Sequence, residues 1–153
     1  MRPTFQLLNA DWNADGTAPD AVAEVAGADL SLTFRVNAVQ FPDFDAGEVG
    51  TLRFINCRRY RLGPTSDEGW SRGQCRFSGL APAWGEFYLV KGEAALLNAP
   101  RDWKTVDAAP MGPDGHHFLF YFKDKTFECV ADKCLVEPVD GNALHRTGKD
   151  VRA

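Results

Sequence analysis

"HHFLFYFKDKTFECVA", residues 116–131, is the stretch on which the fold turns. Phe118, Phe120 and Phe122 fall on alternate positions, and after a polar break Phe127, Cys129 and Ala131 do so again. That is the spacing of strands, whose successive side chains point to opposite faces. With Asp124 and Lys125 as the turn, Phe122 faces Phe127, Phe120 faces Cys129 and Phe118 faces Ala131, all suited to a core. The other face then sets Tyr121 opposite Glu128, Leu119 opposite Val130 and His117 opposite Asp132. A slip of one residue would turn the whole apolar set outward, so the agreement of these positions argues for the hairpin.

The same alternation recurs outward from this hairpin. In "ADLSLTFRVN", residues 28–37, Leu30, Leu32, Phe34 and Val36 alternate with Ser31, Thr33 and Arg35, the pattern of a strand buried on one face. "TLRFINCRRYRLG", residues 51–63, starts with Leu52 and Phe54 on one face. Strict alternation would next bury Asn56 and Arg58, and a bulge near Asn56 repairs this by turning Cys57 inward. "QCRFS" and "WGEFYLVKG" read as two strands joined by "GLAPA". In that register Cys75, Phe77, Phe87 and Leu89 point inward, while Trp84, Tyr88 and an Arg76–Glu86 ion pair share the outer face. "KCLVEPV", residues 133–139, adds a third strand to the terminal meander. "TAPDAVAEVAG", residues 17–27, is either one short helix or a strand ending in a Gly27-Ala28 turn, and the strand that follows at once favours the second. "NAPRDW", residues 98–103, could form a capped helical turn. From Asp140 the chain is polar and without period.

These readings predict an all-β fold: a single antiparallel β-sandwich or barrel of about seven to nine strands with at most one short helix. One domain spans residues 1–139, and residues 140–153 form a loosely held tail. The 153 residues suffice for one domain with a core. A net charge of −4 argues against nucleic acid and anionic membranes as partners. The apolar run near the N-terminus is about four residues, short of the roughly seven to fifteen of a secretory signal, so a cytoplasmic protein with reduced thiols is expected. Cys129 and Cys134 are separated by four residues and no second matching pair exists, so neither a metal site nor a cofactor is expected. His116 and His117 are adjacent on a strand and point to opposite faces.

Charge is the most asymmetric feature. Arg53, Arg58, Arg59, Arg61, Arg72 and Arg76 fall in one segment that holds only Asp67 and Glu68 as acids, with Tyr60 and Trp70 interleaved. Arginine forms bidentate contacts with carboxylates and phosphates and stacks on aromatic rings. A binding face of Arg53, Arg59, Arg61, Trp70, Arg72 and Arg76 is therefore expected, taking an acidic protein surface or a small anionic ligand. Any internal counter-charge is expected from Glu86, Asp43, Asp45 and Glu48. The function this implies is a non-catalytic binding module, of the immunity or adaptor kind. The alternative is a small hydrolase or isomerase using Glu86, His117, Tyr121 and Glu128 on the outer sheet face, although no nucleophile or oxyanion donor stands beside them in the sequence.

"YRLGPTSDEGWSRGQCRF", "WGEFY" and "HHFLFYFKDKTFECVA" together resemble a group of uncharacterised bacterial proteins over roughly residues 29–132. The resemblance implies no fold, activity or ligand.

Overall fold

The structure is a computed structural model that describes residues 4–64, 85–91, 103–106, 115–123, 125–137 and 141–144. Ten strands lie among the described residues: β1 (Thr4–Leu7), β2 (Val22–Ala26), β3 (Asp29–Arg35), β4 (Val49–Ile55), β5 (Arg59–Pro64), β6 (Phe87–Lys91), β7 (Lys104–Thr105), β8 (His116–Tyr121), β9 (Lys125–Ala131) and β10 (Lys133–Val136). They form two antiparallel sheets, ordered β1-β6-β8-β9-β5-β7 and β10-β4-β3-β2. The architecture is a sandwich and not a closed barrel. Of residues 17–27, read as either helix or strand, Val22–Ala26 form β2, which meets β3 through a turn where Gly27 takes a φ of 63°, a value glycine accepts without strain.

The core is aromatic. Phe34 of β3 meets Phe120 of β8 at 5.4 Å between ring centres, and Phe54 of β4 meets Phe118 and Phe127 at 5.2 Å each. Trp12 stacks on Phe34 from the segment before β2, at 5.5 Å. Edge-to-face and offset contacts at these separations add to the burial of large apolar surfaces. All the positions assigned inward on β3, β4, β6, β8 and β9 are buried.

The terminal hairpin keeps the expected faces but not the expected partners. The Phe122 N–H donates to the Lys125 carbonyl at 2.8 Å, which moves the turn one residue toward the N-terminus. Pairing shifts by two, so Phe120 faces Phe127, Phe118 faces Cys129, Leu119 faces Glu128, His117 faces Val130 and Tyr121 faces Thr126. Because strand side chains repeat every two residues, this shift leaves every inward residue inward.

Residues 51–63 are two strands, not one bulged strand. β4 belongs to the four-stranded sheet and β5 to the six-stranded one, and the chain crosses between them at Asn56, whose φ is 51°. Asparagine tolerates this left-handed conformation better than most residues. Cys57 is turned inward as expected, but by a corner instead of a bulge. A second crossing lies beside the first. β10 pairs with β4 and not with β9, so it leaves the meander at Asp132 and joins the other sheet. Side chains tie the two crossings together. Asn56 Nδ2 donates to Asp132 Oδ2 at 2.8 Å, Arg58 Nη1 donates to Asp132 Oδ1 and to the Asn56 carbonyl, and the Asn56 N–H donates to Asp29 Oδ1 at 2.9 Å.

The domain also extends past residue 139. Asn142, Ala143 and Leu144 are buried. The Asn142 side chain closes a pair of hydrogen bonds with the Thr51 backbone, accepting from its N–H at 3.0 Å and donating to its carbonyl at 2.9 Å. Leu144 fills the space a side chain at Gly50 would need, with its Cγ 2.6 Å from an ideal Cβ there. Within the segment expected to be a loose tail from residue 140, residues 142–144 are therefore held on the fold by one amide and one leucine, and residues 145–153 lie outside the described residues. Expected features within "QCRFS", "GLAPA" and residues 98–102 lie outside the described residues.

Candidate functional site

β5 leaves the corner with Tyr60 and Leu62 packed on the core, which puts Arg59 and Arg61 on the outer face of the six-stranded sheet. β9 places Glu128 directly opposite Arg61, and β8 places His117 one diagonal step away. His117 Nε2 and Glu128 Oε1 are 2.8 Å apart, and Arg61 Nη1 donates to Glu128 Oε2 at 3.3 Å. All three side chains are buried or nearly so, that of Arg61 being 12% exposed and that of Glu128 fully buried. Tyr88, Val90, Leu119 and Tyr121 form a second apolar cluster on this same face. A carboxylate removed from water needs such partners, because an unpaired buried charge is strongly unfavourable.

The edge of the sheet carries cations stacked on rings. β7 is its last strand, pairing Thr105 with Arg59 and Lys104 with Tyr60. The Arg59 guanidinium lies 5.1 Å over the Trp103 ring, and Lys104 Nζ lies 6.0 Å over Tyr60. Trp103 also meets the His117 ring at 6.4 Å, joining the edge to the buried cluster. The Trp103 indole N–H and the Thr126 hydroxyl are buried and have no hydrogen-bond partner among the described residues.

The expected arginine face is divided by the fold. Arg53 lies on the outer surface of the opposite sheet, where it donates to Asp29 at 3.0 Å and to Glu137 at 3.1 Å. Trp70, Arg72 and Arg76 lie outside the described residues; among the described ones, Arg59 and Arg61 share one sheet face. The counter-charges differ from expectation. Asp29 and Glu137 pair with Arg53, Asp132 with Arg58 and Glu128 with Arg61. Glu48 instead accepts from the Asp45 N–H within its own loop. Glu86 does not join His117. It lies by Asn9 and Asn13, accepting from Asn13 Nδ2 at 3.4 Å, and burial raises its pKa against the opposing effect of a hydrogen bond to Asn9. The expected pairing of Tyr121 with Glu128 is replaced by that of Leu119 with Glu128, and Arg61 stands opposite Glu128 from the other neighbouring strand.

Cys57, Cys129 and Cys134 are free, buried thiols, and Cys75 lies outside the described residues. Burial pushes the Cys129 and Cys134 thiols well above the usual range, and a hydrogen bond with Cys57 adds to the effect at Cys129. Among the described residues no three His, Cys, Asp or Glu side chains are grouped to hold a metal ion, and no helix is long and apolar enough to cross a membrane. A cleft of about 190 Å³, lined by residues 17–21 with Phe122 and Lys125, lies at the far end of the hairpin from the corner.

Trp103 and Lys104 were missed as site residues. Their signal was the alternation in "WKTV", hidden by reading Trp103 as the end of a helical turn. The chain matches no family model, no curated protein and no solved structure.

Proposed function

We propose that the protein is a non-catalytic binding module that recognises an acidic protein surface through the β5–β7 edge of its six-stranded sheet. The observation that carries this reading is the pair of stacked cations, Arg59 over Trp103 and Lys104 over Tyr60. Stacking on an aromatic ring holds a long cationic side chain in place before a partner arrives, which lowers the ordering cost of binding. Arginine and tryptophan are also the residues most often found carrying interface energy. The cations stand out in a chain whose net charge is −4. Of the other residues expected on this face, Arg53 and Arg61 hold internal carboxylates, and Trp70, Arg72 and Arg76 lie outside the described residues.

The test is charge reversal at the edge alone. Arg59→Glu with Lys104→Glu should leave the thermal melt nearly unchanged and slow association with the partner captured from the native host, most strongly at low salt. Retention of every specific partner with the same salt dependence overturns the reading. Arg61 is left out of the variant, since its replacement by a carboxylate would set two negative charges against each other in a buried place.

A second reading is favoured by the 2.8 Å contact between His117 and Glu128. A carboxylate that fixes the orientation of an imidazole, with an arginine on its other oxygen, is an arrangement that supports acid–base chemistry. A panel of ester and phosphoester substrates turned over by wild type and not by His117→Gln would support it. The absence of turnover across the panel would count against it.

A further inference from the structure

We infer that β2, the last strand of the four-stranded sheet, takes an added strand: an extended segment of a partner protein with a lysine or arginine opposite Glu24. This surface is separate from the β5–β7 edge and belongs to the other sheet. β3 shares its backbone groups alternately between its two neighbours. Just past its end the Val36 N–H donates to the Glu48 carbonyl on the β4 side, while the Arg35 N–H donates to the Pro19 carbonyl on the β2 side. Counting back by twos, Thr33, Ser31 and Asp29 bond β2, so their partners Val22, Glu24 and Ala26 face β3. Ala23 and Val25 therefore turn their N–H and C=O groups away from the sheet. Among the described residues, β2 has no second neighbour, and residues 22–26 make no hydrogen bond beyond the pairing with β3.

A row of free backbone groups is a template for another strand, and sheets guard such an edge by keeping it short or with lysine, proline or a bulge. β7, at the end of the larger sheet, is two residues long, and β10, at the other end of the smaller one, opens with an exposed Lys133. β2 runs five residues in unbroken register with none of these devices. Its side chains are as open as its backbone, Val22 being 58% and Val25 43% exposed. Glu24 is exposed between them and has no ion pair among the described residues. That charge selects the occupant. A second copy that used all the free groups of Ala23 and Val25 would pair Ala23 with Val25 and set Glu24 against Glu24, and like charges directly opposite are unfavourable. A strand with a cation at that place gains a cross-strand ion pair instead, and an apolar residue beside the cation covers Val25, which lies opposite Leu30 on the inward face. Strand addition draws affinity from the main chain and specificity from alternate side chains in this way.

The probe is a blocked pentapeptide, threonine-valine-lysine-valine-threonine, with the same peptide carrying glutamate at its centre as control, titrated into protein labelled with ¹⁵N. In the free protein the Ala23 and Val25 amides should exchange rapidly with solvent, while those of Val22, Glu24 and Ala26 exchange slowly. The lysine peptide should protect the Ala23 and Val25 amides and bind up to about fivefold more tightly than the glutamate peptide. Glu24→Lys should reverse that preference. Val25→Pro, which removes an outward N–H and none of the bonds to β3, should weaken binding at least about tenfold. Glu24→Lys carries the test alone if the proline lowers stability. Ala23 and Val25 amides already protected in dilute free protein overturn the open edge. Protection that grows with protein concentration, alongside a dimer in sedimentation, overturns the partner segment in favour of a second copy. Equal binding of the two peptides overturns the choice of a basic segment. Shifts confined to other residues, or no binding of either peptide, overturn strand addition at β2.

Discussion

The two sheets are built from the same alternation and end in different states. In the four-stranded sheet, β3 buries Leu30, Leu32 and Phe34 and leaves Ser31 and Thr33 half-buried on the outside. In the six-stranded sheet, every residue of β9 after Lys125 is buried, and so is every residue of β8 after His116. A sheet with one face in water needs no partner for its outward polar residues. A sheet buried on both faces needs one for each. This difference separates two arginines of one sequence segment. Arg53, 36% exposed, meets Asp29 and Glu137 at the surface of the smaller sheet. Arg61 meets Glu128 under cover, and Glu128 must then satisfy His117 as well. The candidate site lies where the doubly buried strands give way to the β5–β7 edge, whose Lys104 and Thr105 are exposed.

The sharpest way to break this contrast is to treat the two faces of the larger sheet alike. Phe120→Ala opens the core beside Phe34 and Phe87 and should cost about 3–5 kcal/mol. Glu128→Ala on the opposite face strands Arg61 and His117 without their shared carboxylate and should cost a similar ~3–5 kcal/mol. Denaturant titration measures both. If Glu128→Ala costs under about 1 kcal/mol, as at exposed sites, the outer face is solvated and the contrast between the sheets disappears.

On the smaller sheet the effects should be lower and local. Leu144→Ala removes the side chain packed over Gly50 and should cost roughly 2–5 kcal/mol, nearer the low end because the neighbouring chain can settle into the space. Wild-type stability in a chain truncated before Gly141 would show that this segment is a tail after all. Arg53→Ala removes a partly exposed ion pair and should cost only about 1 kcal/mol, less as salt rises. A double-mutant cycle with Glu137→Ala gives its share directly.

The fold was legible where one face was wet. Leu30, Leu32 and Phe34 against Ser31 and Thr33 state a strand and its inward face together. β8 showed its inner face as clearly through Phe118, Phe120 and Phe122, yet of the other face, with His117, Tyr121 and Glu128, only its outward direction could be read. Residue types cannot say whether a polar face is wet or paired, since pairing depends on strands far apart in sequence. The corner at Asn56 was hidden for a similar reason. A run that breaks its own alternation fits a bulge and a change of sheet equally well, and the choice rests on Asp29 and Asp132, which reach Asn56 from other strands. Of the site, Arg59 was legible as a cation among aromatics. Its ring, Trp103, was not, because the pairing of β5 with β7 joins distant parts of the chain.

Two carboxylates extend the comparison to pH, with opposite signs. Asp132 sits at the sheet crossing, where hydrogen bonds from Asn56 and then Arg58 hold its carboxyl below the usual 3.8. A depressed pKa stabilises the fold at all pH values above the unfolded pKa, and that stabilisation is lost as pH falls through the folded one. Asp132→Asn should therefore be less stable than wild type at neutral pH, with the gap closing below about pH 4. Glu86, by Asn9 and Asn13, is the reverse case, because burial raises its carboxyl above the usual 4.5. The folded state then binds the proton more tightly than the unfolded chain, so ionised Glu86 opposes folding at neutral pH. Glu86→Gln keeps an oxygen to accept from the neighbouring asparagines and removes the charge. It should melt slightly higher than wild type at pH 7, and the advantage should fade as pH drops through the Glu86 pKa and wild type takes up its own proton. Parallel melts from pH 3 to pH 8 test this. A variant that melts lower at pH 7 would mean that the hydrogen bond to the Glu86 carboxylate outweighs its burial, and Glu86 would then belong with the paired acids of the sheets.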